Sequence, residues 1–264
     1  MSSELKIQET EKKLSRHLRI GIIGSIASGK TEIARLLGSR WLESEHIEEC
    51  YGDNPYLKDF YENPHENSFS SQFWFLEQKI RQLSVLEGKK TEIIDPSLEM
   101  DRIYAQTQNS IGWMNPDEWN LYQDWFDTLV AEKKIARPDY YLVVNAPQEV
   151  LLSRVEERIK KGGRDFERWI LERYPEYLVK LSGNVKSWRL ENRNLPILEI
   201  DTGHCDFSWV DRREELLNRI DSHIALWLSQ NAFGDDNVRL MAPKYPNPNV
   251  GTYDHVPGSG YLTR

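Results

Sequence analysis

Apolar residues in this chain gather in short, β-rich runs separated by longer stretches of helical spacing. Five runs are brief and bounded by turn or polar residues, as strands buried in a parallel sheet are. They cover residues 18–23, a weak stretch at 46–47, then 91–94, 140–144 and 197–200. Helical patterns lie between and after them, among others at 32–37, 69–86 (rich in aromatics), 119–136, 148–161 and 210–228. Strands alternating with helices predict an α/β fold whose parallel sheet is covered on both faces. The run at 91–94 stops on a carboxylate, Asp95, followed at once by Pro96. A charge at the end of a buried strand needs a partner, and that raises the question of what it faces.

After residue 230 the pattern fades into a stretch rich in Pro, Gly and Asn, so 231–264 reads as an irregular tail. Residues 1–17 are polar and carry acidic groups, which fits neither a signal nor a transit peptide. That leaves 18–230 as one domain, within the usual size of an α/β unit. No apolar run reaches the length of a membrane span, and two cysteines, Cys50 and Cys205, form no metal or disulfide spacing. A cytoplasmic protein without a membrane anchor is expected. The net charge of −8 argues against a protein that coats nucleic acid, while leaving room for a local phosphate site.

Such a site is written after the first strand. Gly24-Ser25-Ile26-Ala27-Ser28-Gly29-Lys30-Thr31 is a complete G-x-x-x-x-G-K-T, with a strand before it and a helix after. Its glycines let the backbone wrap a phosphate, and its amides converge at a helix N-terminus. Lys30 can reach the outer phosphates and Thr31 can hold Mg²⁺. A nucleoside triphosphate is therefore expected, but the loop alone does not separate a kinase from a nucleotide switch or motor.

Three later segments narrow the choice. The first, 48–82, holds Glu49, Asn54-Pro55-Tyr56, Tyr61 and Phe69-Ser70-Ser71-Gln72; the second, Asp117 to Leu129, carries the core E-W-N-L-Y-Q-D-W. In the third, 145–167, Arg154 and Arg158 sit four apart on one helix face, followed by Gly162-Gly163-Arg164 and Glu167. Together these resemble the deoxynucleoside kinase family, which includes deoxycytidine, deoxyguanosine and mitochondrial thymidine kinases. The resemblance spans roughly 18–228. It implies a three-layer phosphate-loop kinase fold, with a five-stranded parallel sheet flanked by helices and an arginine-rich lid, and usually a homodimer.

The same resemblance implies roles. ATP and Mg²⁺ would meet the loop, with Thr31 and Asp95 toward the metal. Glu49, favoured within the acidic run Glu43, Glu45, Glu48 and Glu49, would be the general base for a 5′-hydroxyl. Tyr61 and Glu167 would hold the sugar 3′-hydroxyl, Gln72 and Asp101 the base edge. Arg154, Arg158 and Arg164 would stabilise the moving phosphoryl group. Phe69, Phe73 and Trp74 are either pocket wall or ordinary core. Three positions depart from the family pattern. Lys79 replaces an arginine of the base-reading network, Ala105 replaces a frequent aromatic wall and should enlarge the pocket, and Pro96 replaces an arginine near the acceptor 5′ end. These departures keep other acceptors open, a deoxynucleoside monophosphate or a modified-base hydroxyl; a third alternative, a nucleotide-binding subunit without catalysis, is opposed by the retained Lys30, Thr31, Glu49 and lid arginines.

Overall fold

Five parallel strands form a single sheet: β1 (Arg19–Gly24), β2 (Ser44–Glu48), β3 (Thr91–Asp95), β4 (Tyr140–Asn145) and β5 (Ile197–Asp201), in the spatial order β2-β3-β1-β4-β5. The computed structural model describes residues 18–162, 167–204 and 209–231. The expected segment 1–17, and the expected tail from residue 232 onward, lie outside the described residues.

All five expected strands are present. β2 is the longest surprise, five residues where the pattern marks two. It is an edge strand that pairs only with β3, and Ile47 is its one buried residue. A strand held by backbone pairing, with one apolar contact, leaves almost no period-two signal.

The helices are α1 (Lys30–Arg40), α2 (Leu57–Glu62), α3 (Pro64–Ser84), α4 (Leu98–Ser110), α5 (Pro116–Glu132), α6 (Gln148–Lys161), α7 (Arg168–Arg173), α8 (Pro175–Glu191) and α9 (Val210–Asn231). Side-chain alternation sorts them into layers. Ile20, Ile22, Leu142 and Val144 face α1 and α9, packing on Ile33, Leu36, Leu217 and Ile220. Ile23, Tyr141 and Val143 face the other way, against Met100 and Ile103 of α4, Val155 of α6 and Leu178 of α8. Beside them Ile47 and Ile94 pack on Leu76 and Ile80 of α3 and on Tyr122 and Phe126 of α5.

The E-W-N-L-Y-Q-D-W segment forms the body of α5. Asn115 caps it, accepting from the amides of Asp117 and Glu118, while the Glu118 carboxylate accepts from the Asn115 amide. Among the described residues no helix is long and apolar enough to cross a membrane.

Candidate active site

All five strands run parallel, so their carboxyl ends share one edge of the sheet, where open α/β sheets place their ligands. The phosphate loop leaves β1 at that edge. Gly24 is required there: a Cβ on it would lie 2.4 Å from the Val144 carbonyl oxygen. Gly29, at φ 97°, makes the left-handed step into α1. The turn is narrow enough that Ala27 also adopts a left-handed φ, 63°. Two buried side chains brace it from behind. Arg154 Nη1 donates to the Ala27 carbonyl at 3.2 Å and to Thr202 Oγ1 at 3.0 Å, and Thr202 Oγ1 donates to the Ser28 carbonyl at 2.7 Å. Lys30 Nζ donates to the Gly24 and Ser25 carbonyls, both at 2.9 Å.

Asp95 now has its partners. It is 2% exposed and sits beside Thr31 and Lys30, with His46 Nε2 3.6 Å from Oδ2. Burial works to raise its pKa, but the nearby His46 ring, the Thr31 hydroxyl and the charge of Lys30 outweigh that and hold the carboxyl below its usual range. Its Oδ1 is buried without a hydrogen-bond partner among the described residues. An orphaned carboxylate oxygen next to a threonine hydroxyl suits a hard divalent cation such as Mg²⁺. Among the described residues no group of three or more His, Cys, Asp or Glu could hold a metal, so other oxygens, from phosphate or water, would complete the coordination.

A cavity of about 200 Å³ opens from the loop toward α3, α4 and α8. Of the sequence-predicted residues, Ile26, Ala27, Ser28, Gly29, Lys30, Thr31, Glu49, Tyr61, Gln72, Asp95, Asp101, Arg158 and Glu167 line it together. Glu49 is placed by backbone pairing continuing past β2, its amide donating to the Asp95 carbonyl at 3.0 Å. Arg158 Nη1 lies 3.5 Å from Glu167 Oε1, and both line the cavity. At the far end Gln72 Oε1 and Asp101 Oδ2 are buried without hydrogen-bond partners among the described residues. Burial pushes the Asp101 carboxyl up to about 8 against the pull of Lys79, and Glu49 adds to the rise. Near neutral pH the pair of Gln72 and Asp101 can therefore offer both donors and acceptors to a base edge.

Other predicted residues sit elsewhere. Gly24 and Ser25 form the loop's base rather than the cavity lining. Lys79 is fully buried behind Pro96, donating to its carbonyl oxygen at 2.9 Å. Arg154, grouped by sequence with the lid arginines, is behind the loop, and Arg164 lies outside the described residues. Ala105 does not line the cavity: it is buried in the cluster with Met114, Tyr122 and Phe126. Phe69 and Phe73 stack on each other, and Phe73 meets Trp125 of α5 edge-on; none of these rings, nor Trp74, lines the cavity, whereas Phe75 does.

The cavity also holds residues that sequence reading passed over, notably Arg35, Tyr104 and Tyr177. Burial holds both phenols protonated, raising each well above its ordinary pKa, with Glu49 adding to the effect. Tyr104 follows Asp101 by three positions, so helical spacing puts it on the same face. Tyr177 carries no such local signal, because only the packing of α8 against α4 brings it there.

Comparison with known proteins agrees with this geometry. The family model described as deoxynucleoside kinase matches residues 20–225. A deoxyguanosine kinase of Lactobacillus johnsonii is 27% identical over 224 residues, covering 82% of this chain and 96% of that one. A deoxyadenosine kinase of Dictyostelium discoideum is 29% identical over 193 residues (72% and 75%), and the deoxycytidine kinase of Mus musculus 27% identical over 256 residues (82% and 94%). Among solved structures, deoxyadenosine kinase from M. mycoides with bound dCTP superimposes with a TM-score of 0.65 at 24% identity, covering 78% of this chain and all of that one. The chain belongs to the deoxynucleoside kinase family and is an enzyme that phosphorylates deoxynucleosides.

Proposed function

We propose that the enzyme transfers the γ-phosphoryl group of ATP to the 5′-hydroxyl of a deoxynucleoside, releasing ADP and the 5′-monophosphate. One observation carries this reading: a single cavity joins the phosphate loop to Glu49 and ends on Gln72 and Asp101. In the transfer, a bond forms from the 5′-oxygen to the γ-phosphorus. The bond from that phosphorus to the β–γ bridging oxygen breaks, ADP keeps the electron pair, and the hydroxyl proton passes to Glu49. Thr31 and Asp95 would hold Mg²⁺, which neutralises phosphate charge when bound.

The loop amides and Lys30 bind the phosphates, and Arg158 with Arg164 meets the charge that spreads over the moving group. Arg154 keeps the loop in shape. Tyr61 and Glu167 hold the 3′-hydroxyl, and Gln72 with Asp101 reads the base while Lys79 supports them from behind Pro96. A homodimer built on α5 fits its surface, since Leu121 and Trp125, one turn apart, are 46% and 42% exposed. We place the enzyme in the cytoplasm, acting on free nucleosides.

A substrate panel tests this: ATP with each deoxynucleoside, each deoxynucleoside monophosphate and modified pyrimidines, following ADP and product. Turnover of at least one deoxynucleoside to its 5′-monophosphate is expected. Turnover of monophosphates alone would replace the acceptor assignment, and nucleotide binding without any turnover would remove catalysis.

A further inference from the structure

Acidic side chains outnumber basic ones around the cavity: Glu32, Glu48, Glu49, Asp95 and Glu167 line it, besides Asp101, whose carboxyl burial raises to about 8. Three described cations line it as well, Lys30, Arg35 and Arg158. Lys30 donates to the loop carbonyls, and Arg158 faces Glu167 on the α6 side. At the corner where β2 and β3 end, Lys30 lies beside Asp95, and Arg35 is the cation paired with the β2 end. It projects from α1 one turn beyond Thr31, so both side chains share a helix face. Its Nη2 donates to Glu48 Oε1 at 3.0 Å, and Glu48 directly precedes Glu49. Position 96, at the end of β3, is proline and brings no charge.

A phosphoryl group joining an oxygen beside Glu49 adds negative charge to this anionic corner. We propose that Arg35 is a catalytic residue whose guanidinium exchanges Glu48 for the phosphoryl group as that group reaches the acceptor oxygen, and then holds the monophosphate product. The atom balance is that of the transfer above, and the proposal rests on that reading of the cavity. The exchange is favourable for two reasons. The Arg35–Glu48 pair is solvent-exposed, with side chains 32% and 45% accessible, and such pairs hold weakly. A phosphate dianion, in contrast, accepts two parallel hydrogen bonds from a guanidinium. Glu48 thus serves as a resting counter-ion that keeps Arg35 extended toward the site.

The test uses the full chain as wild type, Arg35→Gln, Arg35→Lys and Glu48→Gln. Calorimetry measures the affinities of dAMP, dGMP, dCMP and dTMP and of the four parent deoxynucleosides, and steady-state assays with ATP follow turnover. Arg35→Gln is expected to weaken the tightest-binding monophosphate by about tenfold or more, as loss of a charge-assisted pair does, while its parent nucleoside binds within twofold of wild type. Turnover should fall by roughly 10²-fold, and Arg35→Lys should lie between. Glu48→Gln should leave monophosphate affinity unchanged or tighter. Equal losses in Arg35→Gln and Glu48→Gln would reduce the pair to a structural contact and overturn the proposal. Equal weakening of nucleoside and monophosphate, or no change in either, would overturn it too. A wild type that makes no monophosphate counts against the 5′-kinase reading, whereas the difference between monophosphate and nucleoside binding decides on Arg35.

Discussion

The two ends of the cavity are built by different means. At the loop end, one continuous segment, 24–31, builds the site, with 26–31 lining the cavity, and much of it is backbone: glycines, amides and a helix N-terminus. At the acceptor end the surface is made of side chains from β2, α2, α3, β3, α4 and α8, including Glu49, Tyr61, Gln72, Asp101 and Tyr177. A backbone cradle recognises a group that every nucleoside triphosphate shares. Side chains collected from many elements can change one at a time, so the acceptor end is where specificity can drift while the chemistry stays. Pro96 lines that end, with Lys79 buried behind it, whereas Ala105 lies in the core beside Tyr122.

Substitutions can sharpen or break that contrast. The largest effect is expected for Glu49→Gln, which keeps shape and hydrogen bonding but accepts no proton. Turnover should fall by about 10²–10⁴-fold, with ATP affinity unchanged in equilibrium titration. Full activity would remove Glu49 as the base, and a matching loss of ATP affinity would mean that the two ends are not separable.

Arg154→Met comes next, on the loop side. It strands the Ala27 and Thr202 carbonyls in a buried site, which should lower stability by about 2–3 kcal/mol in urea unfolding. Because Ala27 sits at a left-handed φ, the loop should also loosen, weakening ATP while leaving deoxynucleoside binding intact. If nucleoside binding weakened instead, Arg154 would belong to the lid after all.

The smallest effect concerns pH. In the unfolded chain Asp101 titrates near its ordinary value, and in the fold burial raises it to about 8. Between about pH 4 and about pH 8 the native state therefore binds more protons, and stability contributed by the protonated carboxyl is lost as pH rises through that window. Asp101→Asn has no proton to lose, so the fall in Tm across this range should shrink. An unchanged slope would show that Asp101 is ionised throughout.

The sequence carried the sheet well where strands are buried on both faces. The runs at 91–94 and 140–144 match β3 and β4 to within a residue, because central strands, buried on both faces, carry near-continuous apolar runs such as Ile93-Ile94 and Leu142-Val143-Val144. β2 was faint, since one apolar residue suffices to anchor an edge strand. The same contrast holds in the site. The loop was legible because its chemistry is local: spacing along the chain is spacing in space. Glu49 could be singled out among four nearby acids only through resemblance, and in the fold it lines the cavity together with Glu48, while Glu43 and Glu45 do not.

What the sequence determined by itself, then, is everything that depends on neighbours in the chain: the strand–loop–helix phosphate cradle, the alternation that makes a covered parallel sheet, and the carboxylate that ends β3. Only the tertiary structure decided which side chains meet across elements. It put Arg154 behind the loop, set Ala105 in the core with Tyr122, hid Lys79 behind Pro96, and brought Tyr177 and Arg35 to the cavity. The reason is physical. Periodicity specifies which face of an element is apolar, but the distance between side chains on different elements depends on how those faces pack, and packing is settled only when the whole core closes.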